Sequence, residues 1–314
     1  MRWTLGTLCA VRPLMSRPRQ ILPGSTYLIT RRTLRRHFLL RPDSEMREII
    51  VYLLAVCAEQ HGIRVHAFCA MSTHLHLVVT DPWGVLPRFL ECFHRLVGLC
   101  TKVLRDWEGS LWDHAQTSVV RLETTEAVVD KIGYVLANPV ASGLVRHAHE
   151  WPGAKSRVDE LGGGRVRAAR PRVYLDADRG RWPDAAAVEL ALPSEVRGSD
   201  AGAWRDAVKA SVAEHEVRGR AEVAGSGRGF LGARRAERMS PYDRATSVEA
   251  VRERNPTFAV GAVAGAYASA VRALRAFRRA YDAAMERWRA GVRDTVFPAG
   301  TWWMAMGHAA IVGT

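Results

Sequence analysis

The sequence predicts an α+β fold: a small antiparallel sheet with helices on one face, followed by a largely helical, partly irregular C-terminal extension. Three observations predict it. In the first half, apolar residues alternate with period two in short runs and recur every three to four residues in longer ones. Two of the three longer runs open on capping residues, and two of the three stop at a glycine. Beyond residue 157 both periods fade into a texture rich in Gly, Arg and Ala.

The elements follow in order. "STYLITRRT" (25–33) alternates as a strand. "DSEMREIIVYLLAVCAEQHG" (43–62) joins an acidic start, an apolar stripe and a stopping glycine, the signature of a helix. "IRVHAFCAM" (63–71) and "THLHLVVT" (73–80) are strands, either adjacent or continuous with a bend near Ser72. A second helix spans 85–109 and ends at Gly109; "TSVVRLE" (117–123) is a short strand. "TTEAVVDKIGYVLANPVASGLV" (124–145) opens on a Thr-x-Glu cap and runs as a third helix. The order β-α-β-β-α-β-α suits an antiparallel sheet under helices.

The expected organisation is an N-terminal extension (1–16), one α+β domain (17–157), a Gly/Arg-rich linker (158–200) and a helical region of unassigned function (201–314). Within the last, 260–294 reads as one long helix. Phe277, Tyr281, Met285 and Trp288 form its packing stripe, while Arg272, Arg275 and Arg279 form either a solvated face or a polyanion contact. Because the chemical residues below lie within 74–138, a chain ending near Arg157 is expected to fold and act alone.

Charge narrows the class of partner. The 314 residues hold 45 Lys+Arg against 32 Asp+Glu, a formal +13, which suits a polyanion. Residues 1–41 contain nine arginines and no acidic residue. Arginine matches phosphate geometry, but a GC-rich coding sequence gives the same bias. The five cysteines show no C-x-x-C spacing, and without a secretory signal this odd count fits a reducing cytoplasm. No run reaches the roughly 18 apolar residues of a membrane span.

The chemistry starts at "CAMSTHLHLVVT" (69–80), where two histidines interrupt an apolar strand. Residues two apart share a strand face, so His74, His76 and Val78 point one way and Leu75, Leu77 and Val79 the other. Two imidazoles side by side suit one divalent cation, although they equally suit ordinary half-buried histidines. The third helix adds "YVLANPV", in which Tyr134 and Asn138 stand four apart, a phenol nucleophile beside an amide oxygen. Pro139 disfavours helical geometry at the residue before it, so this pairing requires the helix to continue through Asn138.

Together, "PGSTYLITRRT", "VHAFCAMSTHLHLVV" and "YVLANPVASGLV" resemble the REP-associated tyrosine transposases, members of the single-tyrosine HUH transposases of insertion sequences. The resemblance covers roughly residues 17–157 and implies a ferredoxin-like or RRM-like HUH domain. It makes His74 and His76 metal ligands, Tyr134 the catalytic nucleophile and Asn138 a further ligand, with Mg²⁺ or Mn²⁺ as the cation. The implied substrate is single-stranded DNA flanked by REP-like hairpins, cut and rejoined through a 5′-phosphotyrosine, by a monomer or homodimer. Arg31, Arg32, Arg35 and Arg36 then read as a backbone-tracking cluster, and Lys131 as a phosphate contact or a solvated surface lysine. Thr73 stands where the family usually has Asn, and "LWDHAQTSVV" replaces its Arg- and Phe-rich segment. A domesticated DNA-binding protein is the alternative. An amidohydrolase barrel would need downstream His and Asp ligands that the second half lacks.

Overall fold

The structure is a computed structural model, described for residues 18–114, 117–175, 182–196, 201–247 and 256–313; the expected N-terminal extension (1–16) lies outside them. It is an α+β fold built on a mostly antiparallel five-stranded sheet. The chain divides into one unit of Leu22–Leu274 and a smaller one that joins Arg275 onward to the residues before Leu22.

In the large unit, β1 (Ser25–Arg32), β2 (Arg64–Ala70), β3 (His74–Asp81), β4 (Ser118–Leu122) and β7 (Phe258–Ala259) lie in the order β2-β3-β1-β4-β7. Only β4 and β7 pair in parallel. The helices are α1 (Ser44–His61), α2 (Leu86–Arg105), α3 (Thr125–Ala141), α4 (Ala201–Gly225), α5 (Ala233–Arg238) and α6 (Ala266–Arg289), the last running on into the small unit. Capping sets their starts. Asp43 accepts the Met46 N–H, Asp81 that of Leu86, and Thr124 that of Ala127. α1 ends on Gly62 in the left-handed region (φ 64°). α2 stops four residues before Gly109, because Asp106 takes the left-handed turn itself (φ 48°) and its N–H reaches Lys102 and Val103.

Helices cover both sheet faces rather than the one expected. α2 lies on the Arg31/Leu75 face, where Trp112 Nε1 donates to the His94 carbonyl and the Arg31 guanidinium stands over the Trp112 ring. α1 packs beside α2. α3 lies on the other face, against His76. The reason is visible in α3 itself, whose buried residues surround it: the sheet takes one side and α4 the other.

The expected linker is ordered in part. β5 (Arg165–Ala169) and β6 (Ala185–Glu189) form an antiparallel hairpin on α1, with Val166, Ala168 and Val188 buried. The Tyr52 hydroxyl donates to the Pro183 carbonyl at 2.6 Å. The alternation is there in the sequence, but alanine and arginine mask it.

The small unit pairs β8 (Val296–Phe297) with β9 (Ile311–Val312) and adds α7 (Trp302–His308). Phe297, Met304, Ala284 and Ala310 form its cluster, with Tyr281, Met285 and Trp288 against it. Arg272, Arg275 and Arg279 are exposed on α6. Among the described residues, no helix is long and apolar enough to cross a membrane.

Candidate active site

The histidine pair is built by register. β3 pairs with β1 so that His76 faces Thr30 and His74 faces Arg32, with both imidazoles on the face that α3 covers. Their ring centroids lie 4.7 Å apart, nearly perpendicular. His76 is buried, while His74 is partly exposed. Each ring engages a threonine hydroxyl through Nδ1: His76 with Thr30 Oγ1 at 2.8 Å, and His74 with Thr73 Oγ1 at 2.9 Å. Thr73 thus orients the first imidazole, and its carbonyl is held by Thr33.

α3 brings the phenol. It continues through Asn138 and Pro139, so Tyr134 and Asn138 stand one turn apart. The backbone beyond the proline is closed by bonds from Ser142 N–H to the Asn138 carbonyl and from Leu144 N–H to the Pro139 carbonyl, both at 2.9 Å. The Tyr134 ring meets His76 edge-on at 5.4 Å and is partly exposed. Asn138 is buried, and its Oδ1 accepts from Ser142 Oγ at 3.2 Å.

Sequence reasoning missed the other side of the tyrosine. His215 on α4 puts its ring 6.1 Å from that of Tyr134, and its Nε2 lies 2.9 Å from Asp130 Oδ1. The hydrogen bond with His215 and then the Lys131 ammonium hold the Asp130 carboxyl well below the usual carboxylate range. An ionised carboxylate only accepts, so His215 carries its proton on Nε2. The available signal was α3, too apolar all round for a helix with a solvent face.

The predicted basic residues separate. Arg32 lies on the His74 face. Arg31 lies on the opposite face, where its guanidinium is 5.9 Å from the Trp112 centroid and burial lowers its pKa against the pull of Asp113. Strand parity therefore keeps Arg31 out of the site. Arg35 is exposed in a turn at φ 48°, and Arg36 bonds Ser247 through its carbonyl (2.7 Å) and hydroxyl (2.6 Å). Lys131 is paired with Asp130 Oδ2 at 2.7 Å.

The donor set fits a divalent cation. In the tautomer whose Nδ1–H donates to threonine, Nε2 of each ring carries the lone pair that a metal takes. Among the described residues no three His, Cys, Asp or Glu side chains could share a metal, and the buried Asn138 carries an amide oxygen of a type that ligates divalent cations.

No family model matches the sequence, and no curated protein matches it. Among solved structures, one similar in fold is a REP-associated tyrosine transposase bound to a REP hairpin, at 16% identity and a TM-score of 0.40. That match covers 58% of this chain and 96% of the other. A second, assigned as a transposase of Deinococcus radiodurans R1, shares 22% identity at a TM-score of 0.27, over 34% of this chain and 85% of the other. At these values neither likeness bears on chemistry.

Proposed function

We propose that the chain is a single-tyrosine HUH DNA transposase or nickase that cuts and rejoins single-stranded DNA at hairpin-flanked sites. The observation that carries this is the convergence of His74, His76 and the Tyr134 phenol in one partly exposed cluster, from a strand and a helix distant in sequence. Mg²⁺ or Mn²⁺ bound by His74, His76 and Asn138 would neutralise charge developing on the scissile phosphate.

The residues of the chain do the rest. Tyr134 Oη attacks the phosphorus and the bond to the 3′ oxygen breaks. Tyr134 then carries the 5′ phosphate of the downstream fragment, and the upstream fragment ends in a 3′-OH. The phenol releases one proton, and the departing oxygen takes up one. We assign the phenol proton to His215, whose Nε2–H is fixed on Asp130 and whose Nδ1 can accept, the logic of a nucleophile, base and orienting carboxylate. The intermediate remains a phosphodiester, so a second 3′-OH can reverse the step without ATP.

Tyr134→Phe removes only the hydroxyl. With Mg²⁺ or Mn²⁺ and a hairpin oligonucleotide carrying flanking single strand, the wild type is expected to form an adduct that survives a denaturing gel, mapped by mass to Tyr134. The Phe variant should bind DNA equally and form none. An adduct on another tyrosine would make that residue the nucleophile, undiminished cleavage by the variant would leave a water nucleophile as the better reading, and DNA binding by a wild type that neither cleaves nor forms an adduct would leave a binding module.

A further inference from the structure

Four of the five cysteines lie among the described residues, and two of these meet. Cys57 on α1 and Cys92 on α2 bring their Sγ atoms to 3.4 Å. They stand 35 positions apart, so the packing of α1 beside α2 joins them, not a C-x-x-C motif. The other two engage different groups. Cys69 Sγ contacts the Met71 sulfur and Cys100 the Val173 carbonyl, both at 3.8 Å, and burial pushes each thiol up to about 12.

The two members of the pair differ in access. Cys57 is fully buried, whereas Cys92 is half-buried, at the border of the apolar stripe Phe89, Phe93 and Leu96. The hydrogen bond with Cys92 and then burial push the Cys57 thiol up, while Arg95, exposed one turn beyond Cys92, favours negative charge at the pair. Cys57 is thus a poor first attacker on anything in solution, and Cys92 is the sulfur that solvent reaches. A disulfide bond is about 2.05 Å long, so the sulfurs must approach by roughly 1.4 Å, within the sweep of rotation about the Cα–Cβ bonds.

We propose that Cys57 and Cys92 form an oxidation site, which a small-molecule disulfide closes into a covalent bridge between α1 and α2. The Cys92 thiolate attacks one sulfur of the small disulfide and expels the other as a thiolate. The Cys57 thiolate then attacks Cys92 Sγ, and the second small thiolate leaves. The protein gives up two electrons and two protons, which the small disulfide takes up as two thiols. The closed loop contains the whole of β2 and β3, and with them His74 and His76. Because α2 lies on the sheet face opposite that pair, the bridge braces the scaffold from behind and leaves the site open.

The full reduced chain, freed of reductant, is incubated with oxidised glutathione, alkylated with iodoacetamide in urea and digested without reduction. Mass spectrometry should find the Cys57 and Cys92 peptides joined, and Cys69 and Cys100 alkylated. Cys57→Ala should halt with glutathione on Cys92, and Cys92→Ser should carry none on Cys57. The bridged chain should melt about 5 °C above the dithiothreitol-treated one, because the bridge restricts the unfolded chain. That difference should not appear in Cys57→Ala. Absence of the linkage, linkage of another pair, or glutathione that stays on Cys92 of the wild type overturns the proposal. A bridged chain that melts no higher overturns the brace.

Discussion

His215 separates two roles that its geometry combines, since its bond to Asp130 pins α4 to α3 while its ring faces the phenol. Gln in its place keeps an amide donor for Asp130 but has no basic nitrogen. His215→Gln should keep DNA affinity and lose roughly 10²-fold or more in cleavage rate, the size of a lost general base. A Gln variant as active as wild type would reduce His215 to a pin. Because the Asp130 pKa is lowered in the fold, its stabilisation is present above the unfolded carboxylate value near ~4 and drains away as the pH falls below it. At this scale the sequence was legible where one element sufficed: strand parity aligned His74 with His76, and helix spacing aligned Tyr134 with Asn138. Parity also separates Arg31 from Arg32, although the run of arginines hid it. Asp130 and His215 lie 85 residues apart, and no local period connects them.

Helix α4 approaches α3 through missing side chains. A Cβ on Gly133 would overlap the Ser211 side chain, and one on Gly219 would fall 2.9 Å from the Ala141 backbone. The stripe Trp204, Val208, Ser211, His215, Gly219 and Val223 recurs every three to four residues. It mixes Gly, Ser and His with apolar groups, so hydrophobic periodicity does not reveal it. A glycine inside a helix costs about 1 kcal/mol against alanine, whereas overpacking a close contact costs ~1–3 kcal/mol and more for a larger side chain. Gly219→Leu should therefore destabilise by about 2 kcal/mol or more in urea and slow cleavage with it. Gly225→Ala, with nothing within 4 Å of the added Cβ, should be neutral or stabilise by up to ~1 kcal/mol. Equal effects at the two glycines would show that the close approach does not matter. The β5–β6 hairpin was hidden similarly, since its inward residues include alanines that barely register as a strand.

The unit Leu22–Leu274 draws on both halves of the sequence. The order of strands and helices up to α3 was readable because each element announces itself locally, but what closes the sheet edges and covers α3 arrives from beyond residue 157. Ala191 N–H bonds the Val65 carbonyl at 2.9 Å, and buried His66 reaches the Ala191 carbonyl through Nδ1 at 2.8 Å. Glu123 N–H bonds the Ala259 carbonyl at 2.9 Å at the other edge. A chain ending near Arg157 would expose the α4-facing side of α3, lose the partner of Asp130 and leave His66 short of an acceptor. Buried polar groups stripped of partners cost about 1–3 kcal/mol each, comparable in sum to the whole stability of a domain. Such a chain should therefore aggregate or melt without a cooperative transition, against the expectation from the sequence that residues 17–157 suffice. A chain of residues 18–265 keeps all of these contacts, while the cluster around Phe297 and Met304 belongs to the other unit. It should unfold cooperatively by circular dichroism and form the Tyr134 adduct within a few fold of the full chain. Cooperative unfolding and full adduct formation by the chain ending at Arg157 would mean that α4 merely decorates the tyrosine helix. Loss of both by residues 18–265 would mean that the large unit needs Ala266–Leu274 or the residues beyond it.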